Sequence, residues 1–161
     1  MNVTPTTLLA TIRFNLLRRP LMHFAVAEEC LDIKRPRLNA LIESGELPWA
    51  WNLGHGTARK EIRILALCVV ERATGQVPSI GATRNLKLPE VVNLVLPQRR
   101  ENLRAVEIQR LFHIGEDSIR DLQAAGEIKR VPEKLPAQGP NASPRYTRAS
   151  LVKLLERRRM A

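Results

Sequence analysis

The chain has 161 residues, 44% of them apolar but only 4% aromatic, and a net charge of +10. That length holds one ordinary domain or two small ones, with cores built mainly from Leu, Ile, Val and Ala. The charge points to a polyanionic partner, because Lys and Arg release counterions from phosphates, but it does not by itself separate DNA from RNA or an anionic membrane.

No stretch reaches the ~18 consecutive apolar residues of a membrane span. At the N-terminus, Leu8, Leu9, Ile12 and Leu16 share one helical face between Thr6 and Arg19. Arg13, Arg18 and Arg19 follow the apolar residues, where a secretory leader places its charges in front. The segment therefore reads as a helix docking on the first folded unit, with an amphipathic targeting segment as the alternative. Cytoplasmic, nucleoid-associated placement is expected.

From Phe24 the sequence shows two short helices joined by a turn. Val26, Cys30 and Leu31 lie on one helical face, Asp32-Ile33 makes the turn, and Lys34-Arg35-Pro36 opens the second helix, where proline is tolerated in the first turn. Gly45 closes that helix as a C-terminal cap. Next comes a hairpin-like stretch from Leu47 to Arg59 turning at Gly54-His55-Gly56, and then a helix from Glu61 to Arg72. Trp49 and Trp51 are two apart and share a strand face, either covering the core or forming a stacking platform for single-stranded bases; core packing is favoured. Between residues 73 and 103, Gly75, Pro78, Gly81, Pro89 and Pro97 interrupt any long helix. The run from Val91 to Leu96 reads as a strand or a helix turn packed between flanking units.

The second half repeats the first at an offset of 81 residues, without a gap over 24 positions. Ala27 falls on Ile108, Cys30 on Leu111, Leu31 on Phe112, Ile33 on Ile114, Leu38 on Ile119 and Leu41 on Leu122. Gly45-Glu46-Leu47 falls on Gly126-Glu127-Ile128. Glu116-Asp117-Ser118 occupies the first turn of the second helix, where acids suit the dipole. The following hairpin looks five residues longer, with Arg59 set against Arg145, Leu65 against Leu151 and Val69 against Leu155, and the closing helix runs from Arg148 to Arg159.

The implied fold is mainly α with small β-hairpin wings: two tandem helix-turn-helix units, 21–72 and 104–161, joined by a partly ordered linker, 73–103, and preceded by a helix, 1–20. Each unit resembles the winged helix-turn-helix of MerR-type and phage-excisionase-type DNA-binding domains. The resemblance rests on the opening helix with Ala and Glu, the Ile of the turn, the Gly-x-Leu/Ile close and the Arg-anchored hairpin. It covers about two-thirds of the chain on short, degenerate motifs. The long dimerisation helix and the aromatic pair of the MerR-type recognition helix are absent.

The resemblance implies that the second helix of each unit enters the major groove and that the wing reaches the backbone. Carried over by position, Lys34, Arg35, Arg37 and Asn39 would read or grip DNA in the first unit, with His55, Arg59 and Lys60 on its wing. In the second unit, Ser118, Arg120 and Gln123 would read, and Lys129, Arg130, Lys134, Arg145, Tyr146 and Arg148 would hold the backbone. Residues 21–72 carry seven basic and seven acidic side chains against fourteen and eight in 97–161, so the second unit is expected to supply more of the phosphate grip. Arg157-Arg158-Arg159 reads as a helix C-terminal charge cluster compatible with a phosphate clamp.

Sequence-specific binding of double-stranded DNA is thus expected, by a monomer or small homo-oligomer acting as a transcriptional regulator or recombination directionality factor. The alternatives are a packaging adaptor resembling a small terminase subunit, or a protein-binding module. His23, His55 and His113 lie in three elements without triad or metal-site spacing, so neither enzyme activity nor a cofactor or metal is expected. Cys30 and Cys68 have no CxxC partner and read as buried structural thiols.

Overall fold

The computed structural model describes residues 18–55, 60–132 and 143–160. The expected N-terminal helix, Arg59 and Lys134 lie outside the described residues. Among those described there are seven α-helices, a short 3₁₀ turn and six short strands. The first half runs β1 (Leu21–His23), α1 (Phe24–Leu31), α2 (Arg35–Glu43), β2 (Ala50–Asn52), β3 (Ile62–Leu65) and α3 (Ala66–Thr74). The connecting segment contains the 3₁₀ turn Thr83–Asn85 and α4 (Leu88–Val95). The second half runs β4 (Asn102–Arg104), α5 (Ala105–Phe112), α6 (Glu116–Ala124), β5 (Arg145–Thr147), α7 (Arg148–Arg158) and β6 (Arg159–Met160).

The repeat reappears in the backbone. α1 and α5 span the same eight positions of each copy, and α2 and α6 the same nine. Both first helices end on a residue in the left-handed region, Asp32 (φ 51) and His113 (φ 54), two residue types that tolerate it. Both second helices hand over to a glycine at positive φ, Gly45 (77) and Gly126 (72). There the backbone turns back, and Leu47 N–H donates to Leu41 O at 2.9 Å as Ile128 N–H does to Leu122 O at 3.4 Å. Ile33 is half-buried against the core and Ile114 is buried, each filling the angle between its two helices.

The wings are arranged differently from the sequence reading. A strand precedes each first helix, β1 or β4, and pairs antiparallel with the strand before the closing helix. Met22 faces Ile64 and His23 faces Arg63, as Leu103 faces Tyr146 and Arg104 faces Arg145. Arg145 therefore corresponds to Arg63, not to Arg59, and Val69 corresponds to Leu151. The second hairpin is one residue longer, not five. The expected helix from Glu61 begins instead at Ala66, because Ile62–Leu65 is drawn into the sheet. The run Ile62 to Val70 is apolar enough to suit either state, and only the partner strands decide it.

The two halves share one core. The four-stranded sheet has the order β1-β3-β2-β6, so the end of the chain completes the sheet of the first half. Ala50 pairs with Met160 and Trp51 with Arg159. Trp51 Nε1–H donates to Leu155 O at 3.0 Å, and the buried apolar residues of both halves form a single cluster. The segment from 73 to 103 packs into it as well: Val91, Val92 and Val95 on α4 are buried, and Trp49 Nε1–H donates to Thr83 O at 2.7 Å. Both tryptophans are at most 2% exposed, so neither is a stacking platform. No helix among the described residues is long and apolar enough to cross a membrane.

Candidate nucleic-acid interface

α2 exposes a basic face. Its N-cap is Lys34; Leu38, Leu41 and Ile42 turn into the core, and this leaves Lys34, Arg35 and Arg37 exposed. Arg35 is held in place: its guanidinium lies 5.2 Å from the Phe24 ring centroid and 3.6 Å from a Glu28 carboxylate oxygen. Arg35, Asn39 and Glu43 recur every fourth residue and line a cleft of about 610 Å³, together with Ile62 at the start of β3 and Lys60 just before it. The fold thus gathers Arg35, Asn39 and Lys60 around one opening, with Asn39 half-buried and His55 exposed beyond β2.

α6 is the counterpart of α2 by position but not by chemistry. Glu116, Asp117 and Asp121 are exposed on it, and Arg120 pairs with Glu116 and lies 3.8 Å from Asp117. Ser118 Oγ–H donates to Glu61 Oε1 at 2.8 Å, a contact with the other half of the chain. The outer face of this helix is thus more acidic than that of α2, and Ser118 and Arg120 both have partners within the fold.

The remaining sites of the second half divide. Lys129, Arg130 and Arg145 are exposed. Tyr146 is buried and its hydroxyl donates to Gln123 Oε1 at 2.8 Å, which occupies both residues within the fold. Arg148 donates to Pro97 O at 3.0 Å and Asn93 Oδ1 at 2.9 Å, so it anchors the connecting segment. The C-terminal arginines are a clasp. Arg157 and Arg158 reach Glu127 at 2.9 and 3.1 Å, and Arg159 stacks 4.0 Å from the Trp49 ring centroid. Glu46 is held similarly by Arg72 at 3.0 Å, which gives the glutamate of each Gly-Glu-aliphatic triplet one purpose: to tie the closing helix down.

The seam between the halves was invisible in the sequence. Arg63, 5% exposed, donates from Nε and Nη2 to His113 O at 2.9 and 2.7 Å and from Nη1 to Ile62 O at 3.0 Å. The His23 and His113 rings meet edge to face with centroids 4.0 Å apart. Burial, then the neighbouring His23, Arg63 and Arg19, pulls the His113 pKa down to about 4. Burial and Arg63 lower that of His23 as well. These folded-state values lie below the unfolded ~6.5, so the unfolded chain takes up protons first as pH falls. Stability should therefore be full above pH ~6.5 and decline towards pH ~4, by about 1–2 kcal/mol once partial solvent exposure is allowed for. Thermal melts at pH 7.5 and 5 would show this. His113→Asn, which tolerates the left-handed backbone, should flatten the dependence; an unchanged slope in that variant would refute the assignment.

Burial raises the thiol pKa of Cys30 to about 11 and of Cys68 to about 12, which disfavours the thiolate of each. Among the described residues no group of three or more His, Cys, Asp or Glu is arranged to hold a metal ion. Compared with family models, with curated proteins and with solved structures, the chain matches none.

Proposed function

We propose that this protein binds double-stranded DNA in a sequence-specific manner, as two winged helix-turn-helix units of unequal role. The observation that carries the reading is α2, where Lys34, Arg35 and Arg37 are exposed and Arg35 shares a cleft with Asn39 and Lys60. Arginine and asparagine give bidentate contacts to guanine and adenine edges, and lysine suits phosphates. α2 is the reading helix and the β2–β3 wing its backbone contact. The second unit, whose α6 is acidic, does not read a second half-site. The shared core holds the two units in one orientation, so the target is a single asymmetric site. Such a protein serves as a transcriptional regulator or a recombination directionality factor.

Selection of bound sequences from a pool of random duplexes tests this. One asymmetric motif about one helical turn long is expected; a pool that gains no motif, or a palindrome bound by one monomer, would overturn it.

A further inference from the structure

A second basic surface surrounds β4 and α5. Arg19, just before β1, and Arg100, Arg104 and Arg110 around β4 and α5 line a cleft of about 720 Å³. The one carboxylate in it, Glu107, is committed: it accepts the Arg104 N–H at 2.9 Å, pairs with Arg100 and lies 3.6 Å from Arg104 Nε. Its side chain is 13% exposed, whereas those of Arg100 and Arg104 are each 56% exposed. The acid therefore sits beneath and orients two guanidiniums whose outer edges face solvent. Val106, 54% exposed, stands at the same opening.

Four guanidiniums around one carboxylate leave the cleft with a net positive charge that attracts an anion. Guanidinium forks match phosphate oxygens two at a time, and the N-terminus of α5, starting at Ala105, adds a favourable dipole. The cleft draws on both ends of the seam, because Arg19 leads into the first half and the other three belong to the approach and first helix of the second. We propose that this arginine cleft grips the phosphodiester backbone of the DNA that α2 reads. The inference rests on the DNA-binding reading and gives the phosphate grip expected of the second half a place: this cleft holds the duplex by charge and does not read it.

The test uses the full chain. Arg19→Gln with Arg110→Gln leaves Glu107 and its two partners in place. Arg84→Gln with Lys153→Gln removes the same charge from exposed positions elsewhere. Binding to a selected duplex is followed against salt concentration, with circular dichroism melts checking the fold. The cleft variant should lower the slope of log K against log salt by about two and weaken binding about tenfold, with the preferred motif unchanged. A slope and affinity equal to those of the control variant would overturn the inference and leave the DNA reading standing. Failure of the unaltered protein to bind any duplex would overturn both. Cleft-dependent binding of inorganic pyrophosphate without an effect on duplex binding would assign the cleft to a free anion and overturn the backbone contact.

Discussion

Trp51→Ala is expected to cost about 3–5 kcal/mol of folding stability, the range for truncating a fully buried large aromatic. Trp51 is 0% exposed and lies on β2, opposite Arg63 on one side and Arg159 on the other. Its ring lies against that of Trp49, with centroids 6.3 Å apart, and its indole N–H satisfies Leu155 O on α7. The substitution would remove core volume from the first half and a hydrogen bond that ties in the second. Against a total stability of about 5–15 kcal/mol for domains of this kind, the variant would sit near the edge of folding. Trp51→Phe should recover most of the packing but leave the Leu155 carbonyl without its donor, costing about 1–3 kcal/mol. Denaturant titration followed by circular dichroism measures both. A loss below about 1 kcal/mol for Trp51→Ala would contradict its place in the core.

Arg63→Met should destabilise by about 2–4 kcal/mol although it retains much of the side-chain stem. The cost comes from what remains. His113 O would lose two donors, and the Glu61 carboxylate, 3.6 Å from the guanidinium, would stay at the seam without its cation. Arg63→Lys should lose less, because a charge near Glu61 survives while the fork onto His113 O does not. Arg145 occupies the same register position in the second half and is exposed, so Arg145→Met should change stability by no more than about 0.5 kcal/mol. Equal effects at the two positions, read from paired denaturant curves, would mean that the seam does not bury Arg63 as described.

The contrast between Arg63 and Arg145 shows where sequence reasoning reaches and where it stops. The helices of both copies were legible because their apolar spacing, their Asp32 or His113 turn and their Gly45 or Gly126 exit are local signals. β1, β4 and β6 were not. A strand of two or three residues has no period to read, and β6 exists only because β2 offers it an edge. The wing register failed for a related reason: the polar loop between the strands offers no alternation to align, and an arginine was available at both 59 and 63.

The candidate site divides in the same way. The exposure of Arg35 and Arg37 follows from helical geometry, since they flank the stripe of Leu38, Leu41 and Ile42 on opposite sides, whereas Lys34 is exposed as the extended N-cap. Tyr146 and Arg148 look like surface contacts in the sequence, yet Gln123 and the Asn93–Pro97 segment occupy them. Nothing local marks Arg19, Arg100, Arg104 and Arg110 as neighbours; only the packing of the two halves brings them to one cleft.

The most direct measurement of the central claim is the affinity of the Arg35→Gln, Arg37→Gln variant for a duplex selected by the unaltered protein. Each lost base contact is worth about 1–3 kcal/mol, so binding should weaken by roughly 30-fold or more, and discrimination against a scrambled duplex should collapse. Affinity and discrimination equal to those of the unaltered protein would show that α2 does not read DNA.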